Sequence, residues 1–303
     1  MLRRTYEPAA LLRDHPLELR HPHKRMVYEL ACPAGARHAG TITVTRWRGD
    51  ELPARCELAP PEVVLERGHF GYDGRRHVWH LNFADPELFF AYGSSLLAQD
   101  ELQGLEHPAL GAVREALRAE GQPAVTVEDV PTPVLVAGVE RRCALDTSRG
   151  LYGNAFARAS ADEVRRALTV LDPAPRSNIL AMAAPSGGSG RYSIDDIAYT
   201  LVTAYTGFRA AREETPEPIE IRTGFWGCGA FGGNRRMMTL LQLFAARLAG
   251  VPRLRFYAFD ERGAADFAAG QADLVRVLGP ADVDEVMQAI AALGYEWGVG
   301  DGN

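Results

Sequence analysis

The stretch Thr223-Gly224-Phe225-Trp226-Gly227-Cys228-Gly229-Ala230-Phe231-Gly232-Gly233-Asn234 is the part of the sequence around which the fold can be worked out. Before it, residues 219–222 alternate in the period of a strand. After it, apolar residues recur at three- and four-residue intervals from Met237 to Leu248, which predicts a helix over 235–249. Five glycines therefore lie in a turn between a strand and a helix.

Such a turn is suited to binding phosphate. Glycine has no Cβ, so a ligand can lie against the backbone, and the turn amides with the positive end of the helix attract an anion. Arg235 and Arg236 oppose the helix dipole, a conflict that a bound anion or a neighbouring carboxylate would relieve. Phe225, Trp226 and Phe231 are flat surfaces suited to a nucleotide. The alternative is a tight turn whose aromatic side chains belong to the core.

Composition sets the class of protein. The chain has 303 residues, 47% of them hydrophobic and 24% charged, as in a globular protein with a sizeable core. A net charge of -6 argues against a protein that binds nucleic-acid phosphates. The four cysteines form no CxxC pair, which disfavours a zinc site or a disulfide framework. No signal-like or membrane-spanning run is found, so the sequence predicts a soluble cytoplasmic protein.

Hydrophobic patterns predict an α/β protein. Residues 1–60 are rich in Arg, His and Pro, with one strand at 41–45, and are interpreted as an N-terminal accessory region. Over 61–303, predicted strands and helices alternate, which indicates one domain with a central sheet covered on both faces. Its predicted strands are 63–66, 78–83, 133–139, 178–183, 219–222 and 254–259; its predicted helices are 109–119, 161–171, 193–211, 235–249, 263–278 and 283–294. Ligands of such sheets bind beyond the carboxyl ends of strands, where the glycine-rich turn lies.

Nearly residue for residue, 223–234 resembles the diphosphate-binding loop of the poly(ADP-ribose) glycohydrolase family. The resemblance implies a three-layer α/β/α, macrodomain-like fold with a mixed sheet. It implies poly(ADP-ribose) or an ADP-ribosylated protein as substrate and ADP-ribose as product, with no cofactor and no metal. The substrate contacts that it implies in this loop are Phe225, Trp226, Gly227, Cys228, Gly229, Ala230, Phe231, Gly232, Gly233 and Asn234.

A second signature of that family concerns carboxylates. Taken alone, Asp100 and Glu101 would be the solvated start of an acidic helix. The family has Phe-Ala-Asn followed by Gln-Glu-Glu, and this chain is similar at Phe83-Ala84-Asp85 and Gln99-Asp100-Glu101. The resemblance implies that Glu101 is the catalytic acid and base, that Asp100 orients the ribose, and that Gln99 and Asp85 contact substrate. Such a glutamate would protonate the leaving group and then activate water.

This chain also departs from the family pattern. Where the family has three glycines, it reads Phe89-Phe90-Ala91, so either a gap brings Gly93 into that role or this side of the pocket is rebuilt. Asp100 is one methylene shorter than the glutamate it replaces. These changes put cleavage of long polymers in doubt more than recognition of ADP-ribose, and they favour another leaving group, such as a protein arginine.

Other features have weaker support. The family carries a tyrosine loop after a strand ending Thr-Gly-Thr-Glu, and here residues 136–140 lead to Tyr152, a possible lid or a surface tyrosine. His77 and His80 have the spacing of metal ligands but no third ligand nearby, and Cys228 fits a packed thiol better than a nucleophile. Residues 185–190 are interpreted as a flexible connector.

The sequence therefore predicts an ADP-ribosyl glycohydrolase of open linkage. A hydrolase specific for mono-ADP-ribosyl-arginine is one alternative. A non-catalytic ADP-ribose-binding module is another, and an enzyme acting on free NAD or another nucleotide diphosphate is a third.

Overall fold

The computed structural model describes residues 2–279, 282–298 and 300. The strands are β1 (Leu2–Tyr6), β2 (Ile42–Arg46), β3 (Glu62–Glu66), β4 (Val78–Ala84), β5 (Thr126–Val127), β6 (Val130–Pro131), β7 (Val134–Glu140), β8 (Cys143–Leu145), β9 (Leu168–Val170), β10 (Arg176–Ala183), β11 (Glu220–Gly224) and β12 (Arg253–Tyr257). The helices are α1 (Pro8–Asp14), α2 (Pro22–Ala31), α3 (Gln99–Glu106), α4 (Ala109–Ala119), α5 (Ala155–Arg158), α6 (Ala161–Ala167), α7 (Ile194–Glu213), α8 (Arg235–Leu248), α9 (Glu261–Val277) and α10 (Val283–Ala292).

The central sheet has eight strands in the order β1-β2-β7-β10-β4-β11-β12-β3. From β10 to β3 all neighbours are parallel, whereas β1, β2 and β7 pair antiparallel with theirs. The carboxyl ends of β10, β4, β11, β12 and β3 therefore lie at one edge of the sheet. In such sheets this edge carries the ligand site.

Both faces of the sheet are covered, as predicted. From Ile179 to Ala183, strand β10 is an unbroken apolar run because its alternate side chains face opposite layers. Leu180 and Met182 pack with α7 and α8 on one face, while Ile179 and Ala181 pack with α1 and α4 on the other. The result is a three-layer α/β/α arrangement built on a mixed sheet.

The N-terminal residues differ from the prediction in one respect. Residues 2–6 and 42–46 form β1 and β2, which extend the central sheet at one edge. β1 escaped the pattern search because Leu-Arg-Arg-Thr-Tyr has no apolar run. The division of the chain at residue 60 stays a prediction.

Two predicted elements need shorter bounds. The helix predicted over 161–171 ends at Ala167, because residues 168–170 become β9 and pair with β8. The strand predicted over 254–259 ends at Tyr257. None of the helices in the described part of the chain combines the length and hydropathy that crossing a bilayer would require.

Ile42→Ala tests whether the N-terminal strands belong to the core. Ile42 is 1% exposed in β2 and packs with residues of β7 and β10. We expect the free energy of unfolding, measured with urea by circular dichroism, to fall by about 2–5 kcal/mol in one cooperative transition. Val275→Ala, at a residue 73% exposed, is the control and should change it by less than about 0.5 kcal/mol. A separate early transition for the N-terminal region would contradict this expectation.

Candidate active site

Beyond residue 80, the central strands β4 and β11 separate. Their paired residues run from Val78 with Glu220 to His80 with Arg222 and stop there. Backbone groups of β4 that face this gap form hydrogen bonds with the Gln99 side chain. This side chain accepts from the Phe83 N–H at 2.9 Å and donates to the Leu81 carbonyl at 2.9 Å. The Gln99 side chain, predicted to contact substrate, therefore holds the start of α3 against the sheet.

The glycine loop, residues 225–234, lies at the same edge. A Cβ on Gly227 would come within 2.5 Å of the Ala184 Cβ, and the Trp226 indole donates to the Met182 carbonyl at 2.9 Å. Ala184 and Met182 belong to the end of β10, on the far side of β4 from β11. The glycine loop therefore crosses the carboxyl end of β4, next to the segment that leads into α3.

The glycine loop closes on itself through its own backbone. The Gly233 N–H donates to the Gly227 carbonyl at 2.8 Å, and the Gly232 N–H to the Gly229 carbonyl at 3.0 Å. Gly227 and Gly232 have φ values of 74° and 69°, which glycine adopts without strain. Within the described residues, the N–H groups of Gly229, Ala230 and Phe231 have no protein acceptor. They belong to the partly exposed tip of the loop, and Gly300 packs against the Ala230 carbonyl oxygen there.

The loop aromatics divide into scaffold and surface. Trp226, one of the predicted flat surfaces, is 1% exposed and its indole N–H is occupied, so its ring lies in the scaffold of the loop. Phe225 packs edge-on against Phe256 at 5.1 Å and lies under the Arg235 guanidinium at 4.9 Å. Phe231 is partly buried against the same core.

Cys228 is a packed thiol. Its Sγ lies 3.5 Å from the Trp226 carbonyl oxygen. Burial raises the pKa of the thiol, which disfavours the thiolate that a nucleophile needs.

The N–H groups at the start of α8 already have hydrogen-bond acceptors within the protein. Asn234 Oδ1 accepts from the N–H groups of Arg236 and Met237 at 3.1 Å each, so the side chain predicted to bind substrate caps the helix. The two arginines are neutralised by carboxylates of α9: Arg235 lies 3.6 Å from Asp266, and Arg236 is paired with Asp273. An anion at this loop would therefore meet the loop tip rather than the helix end.

The two carboxylates of α3 are nearly buried. Asp100 is 6% and Glu101 5% exposed. Asn82 Nδ2 donates to Asp100 at 2.8 Å, and the Ala98 N–H donates to Glu101 at 2.9 Å. Burial, and next the Glu101 charge, raise the pKa of Asp100 to about 8. Burial also raises the pKa of Glu101, although Lys24 and the helix-start N–H groups oppose that shift.

Lys24 was not predicted as part of this site. It lies on α2, is fully buried, and donates to the Tyr92 carbonyl at 2.8 Å. Burial lowers the pKa of its ammonium group to about 8, against the attraction of Glu101 and Asp100. A sequence signal existed: with Val27 and Ala31, Lys24 lies on the apolar face of α2, where a lysine needs partners.

The turn between β4 and α3 packs against the N-terminal segment. Phe89 turns into the core with φ of 50°, while Phe90 is 50% exposed, so of the two only Phe90 is open to solvent. A Cβ on Gly93 would meet the Glu18 carbonyl oxygen at 2.1 Å. Gly93 therefore serves close packing with residues 18–21, not an open ligand surface. Asp85 is half-buried and accepts from the Glu87 N–H at 2.9 Å.

The loop that carries Tyr152 contacts the segment before α3 at one end and His69 at the other. Gly153 and Leu97 exchange backbone hydrogen bonds of 2.9 and 3.3 Å just ahead of α3. At the other end of the loop, the Thr147 hydroxyl lies 3.3 Å from Nδ1 of His69. Tyr152, between these points, is 44% exposed.

Phe259 is a further site candidate that the sequence did not reveal. It follows β12 at the carboxyl edge, is 60% exposed, and has φ of 68°, a strained value for a bulky residue. Its ring contacts His69 edge-on at 5.1 Å, and its carbonyl accepts from the Gly68 N–H at 2.9 Å. In the sequence, Phe259 was assigned to the predicted strand 254–259. The apolar pattern of that strand therefore gave no reason to expect a ligand-binding role for it.

The two histidines with metal-ligand spacing do not form a site. His80 is fully buried, donates to the Asn178 carbonyl at 3.1 Å and accepts from the Asp73 N–H at 3.0 Å, so both ring nitrogens are used. Within the described part of the chain, no group of three or more His, Cys, Asp or Glu is placed to hold a metal ion.

Comparison with known proteins was made for sequence and for structure. A family model described as "Poly (ADP-ribose) glycohydrolase (PARG), Macro domain fold" matches residues 134–266. The poly(ADP-ribose) glycohydrolase of Thermomonospora curvata bound to the inhibitor ADP-HPD is similar in structure, with a TM-score of 0.50 and 16% identity over 86% of this chain and 95% of that one. The Deinococcus radiodurans enzyme in complex with ADP-ribose gives 0.43 and 12%, over 91% and 94%. An Oceanobacillus iheyensis macrodomain with ADP gives 0.46 and 11%, over 77% and 98%.

These comparisons confirm the resemblance to the poly(ADP-ribose) glycohydrolase family and the macrodomain-like fold. The matched residues contain the glycine loop but not Gln99, Asp100 or Glu101. The roles of the individual site residues stay predictions.

Asp100→Asn tests the electrostatics of this site. A carboxyl group whose pKa rises from 3.8 to about 8 on folding stabilises the folded state at low pH, and this contribution is lost as the pH rises through the folded pKa. We expect the free energy of unfolding of the wild type, relative to that of Asp100→Asn, to fall between about pH 4 and about pH 8. Buried His80, whose pKa is lowered, favours folding as the pH rises in the lower part of this range, but it does so in both proteins. Denaturant titrations at several pH values measure this, with exposed Asp14→Asn as control. Parallel curves for all three proteins would contradict the raised pKa.

Proposed function

We propose that this protein is an ADP-ribosyl glycohydrolase, which hydrolyses the anomeric bond of the ribose in poly(ADP-ribose) or in protein-linked ADP-ribose. The observation that carries the proposal is the pair Asp100 and Glu101, two nearly buried carboxyl groups with raised pKa at the edge of a macrodomain-like sheet that also carries the glycine loop. Raised carboxyl pKa values in a cleft are typical of general acids. The ADP-ribose and ADP-HPD bound by the similar bacterial enzymes support this ligand class.

In this proposal the diphosphate binds at the tip of the glycine loop. The N–H groups of Gly229, Ala230 and Phe231, which have no protein acceptor among the described residues, are proposed to donate to phosphate oxygens, whereas Asn234 already occupies the N–H groups at the start of α8. Backbone donors in a glycine turn bind an anion without a basic surface, in keeping with the net charge of -6.

The aromatic side chains at the rim are proposed to hold the nucleoside. Phe259 is 60% exposed and its ring contacts His69. Phe231 and Phe225 of the glycine loop are proposed to contribute further aromatic surface, and Tyr152, on the loop that pairs with Leu97, is proposed to cover the ligand. Aromatic rings of this kind offer large apolar faces on which a base can stack.

Glu101 is proposed to act as acid and then as base. In its acid form it gives its proton to the leaving-group atom as the bond from that atom to the anomeric carbon breaks. Its carboxylate then takes a proton from the water whose oxygen bonds to the anomeric carbon, which restores the acid. Asp100, held by Asn82, is proposed to orient the ribose hydroxyl groups.

A second candidate is a non-catalytic ADP-ribose-binding module. It is favoured by the low exposure of both carboxyl groups and by the rebuilt turn, where half-exposed Phe90 stands in place of a glycine. The same turn favours a protein-linked ADP-ribose, on arginine for example, over a polymer.

Glu101→Gln distinguishes these functions. Release of ADP-ribose would be measured from labelled poly(ADP-ribose), from arginine-ADP-ribosylated protein and from free NAD. We expect release from one of the first two, lowered by roughly 10²–10⁴-fold in Glu101→Gln because the general acid is lost. The dissociation constant for ADP-ribose should change little, and the exposed Glu57→Gln is the control.

Each other outcome rejects one version of the proposal. Binding of ADP-ribose without any release leaves the binding module. Consumption of free NAD alone identifies a different enzyme.

Gly227→Ala tests the glycine loop. Its added methyl group would strike the Ala184 Cβ at 2.5 Å and displace the loop. Gly121→Ala is a matched control, because Gly121 has a similar φ of 71° but open space around it. We expect calorimetry to give at least a tenfold weaker affinity for ADP-ribose in Gly227→Ala and an unchanged one in Gly121→Ala. Equal affinities in both variants would exclude this loop from binding.

A further inference from the structure

A short segment near the C-terminus, residues 295–298, joins two loops at the edge of the sheet; we call it the C-terminal arm. On one side it pairs with the loop after β10. The Tyr192 N–H donates to the Tyr295 carbonyl at 3.0 Å, and the Trp297 N–H donates to the Gly190 carbonyl at 2.8 Å. The segment predicted as a flexible connector, residues 185–190, is therefore hydrogen-bonded to the arm at its last residue.

The Trp297 side chain completes this contact. Its ring stacks on the Tyr192 ring with centroids 4.1 Å apart and planes within 17°. A Cβ on Gly188 would lie 2.0 Å from the indole, so glycine is the residue that leaves room for Trp297 there. The indole thus fills the space between the loop after β10 and the arm.

On its other side the arm contacts the base of the glycine loop. The Gly298 N–H donates to the Gly232 carbonyl at 2.8 Å, and Asn234 Nδ2 donates to the Glu296 carbonyl at 3.0 Å. The Asn234 N–H in turn donates to the Tyr192 hydroxyl at 3.0 Å. Tyr192, stacked under Trp297, therefore connects both loops.

These contacts fix the orientation of the Asn234 amide. An asparagine side chain donates through Nδ2 and accepts through Oδ1. With Nδ2 on the Glu296 carbonyl, Oδ1 faces the Arg236 and Met237 N–H groups and caps α8. The arm thereby holds the point at which the glycine loop becomes a helix.

We infer that Trp297 is a positioning residue for the glycine loop, which keeps the loop ordered for the diphosphate by clamping the arm onto Tyr192. The inference rests on the proposed function. An ordered loop needs no further ordering when the ligand arrives, so the effect falls on affinity and not on the chemical step. The arm lies outside the residues that match the family model.

Trp297→Ala and Trp297→Phe test the inference together. We expect Trp297→Ala to weaken ADP-ribose binding in calorimetry at least tenfold and to raise KM similarly, with kcat changed less than twofold. Trp297→Phe keeps a flat ring on Tyr192 and should restore most of the affinity. Amide hydrogen exchange of residues 228–233 in the ligand-free protein should be faster in Trp297→Ala than in wild type.

Ile42→Val is the control for general destabilisation. Ile42 lies in β2, near the opposite edge of the sheet, so its loss of a methylene should lower stability without changing the affinity or the exchange of the glycine loop. Equal affinity in Trp297→Ala and wild type overturns the inference, as does the same loss in Ile42→Val. Wild-type protein that binds no ADP-ribose overturns the proposed function instead, and exchange then still reports whether Trp297 orders the loop.

Discussion

The separation of β4 from β11 is the constraint on which the site depends. A strand that leaves its neighbour exposes backbone donors and acceptors, which must be satisfied if the region is buried. Here two glutamines meet that need from opposite helices: Gln99 of α3 on β4, and Gln242 of α8, whose Nε2 donates to the Gly224 carbonyl at 3.0 Å. The same contacts bring the start of α3 and the glycine loop to the two sides of one opening. Architecture and site geometry therefore have a common cause.

Placing carboxyl groups at this opening has a cost in stability. Asp100 and Glu101 lie side by side with little exposure, and burial disfavours their charged forms. The structure reduces this cost with the Asn82 amide, the Ala98 N–H and the buried ammonium of Lys24. At alkaline pH both carboxyl groups are charged, and their burial then lowers the free energy of unfolding. The apolar packing on both faces of the sheet must offset this loss of stability.

Much of the fold follows from the sequence, and less of the site. Strands such as β4 and β10 were predicted to within two residues because their apolar runs need burial on both faces. The motif at 223–234 identified the loop, but it could not separate ligand-facing residues from scaffold: Trp226 and Asn234 hold the loop in place. Lys24 and Phe259 escaped because their importance comes from neighbours far away in the chain, which no local pattern encodes.

Strands that are far apart in the chain pair in this sheet, as β3 and β12 do, and this limits which parts of the chain could fold when excised. Arg253 and Glu62, which pair across these strands, are 191 positions apart in the chain. The residues that match the family model, 134–266, include β11 and its glycine loop but neither β4 nor α3. Excised alone, they would leave one edge of β11 without its neighbour, and such an edge invites aggregation. The glycine loop is therefore not a transferable module, since half of its surroundings is encoded before it in the chain.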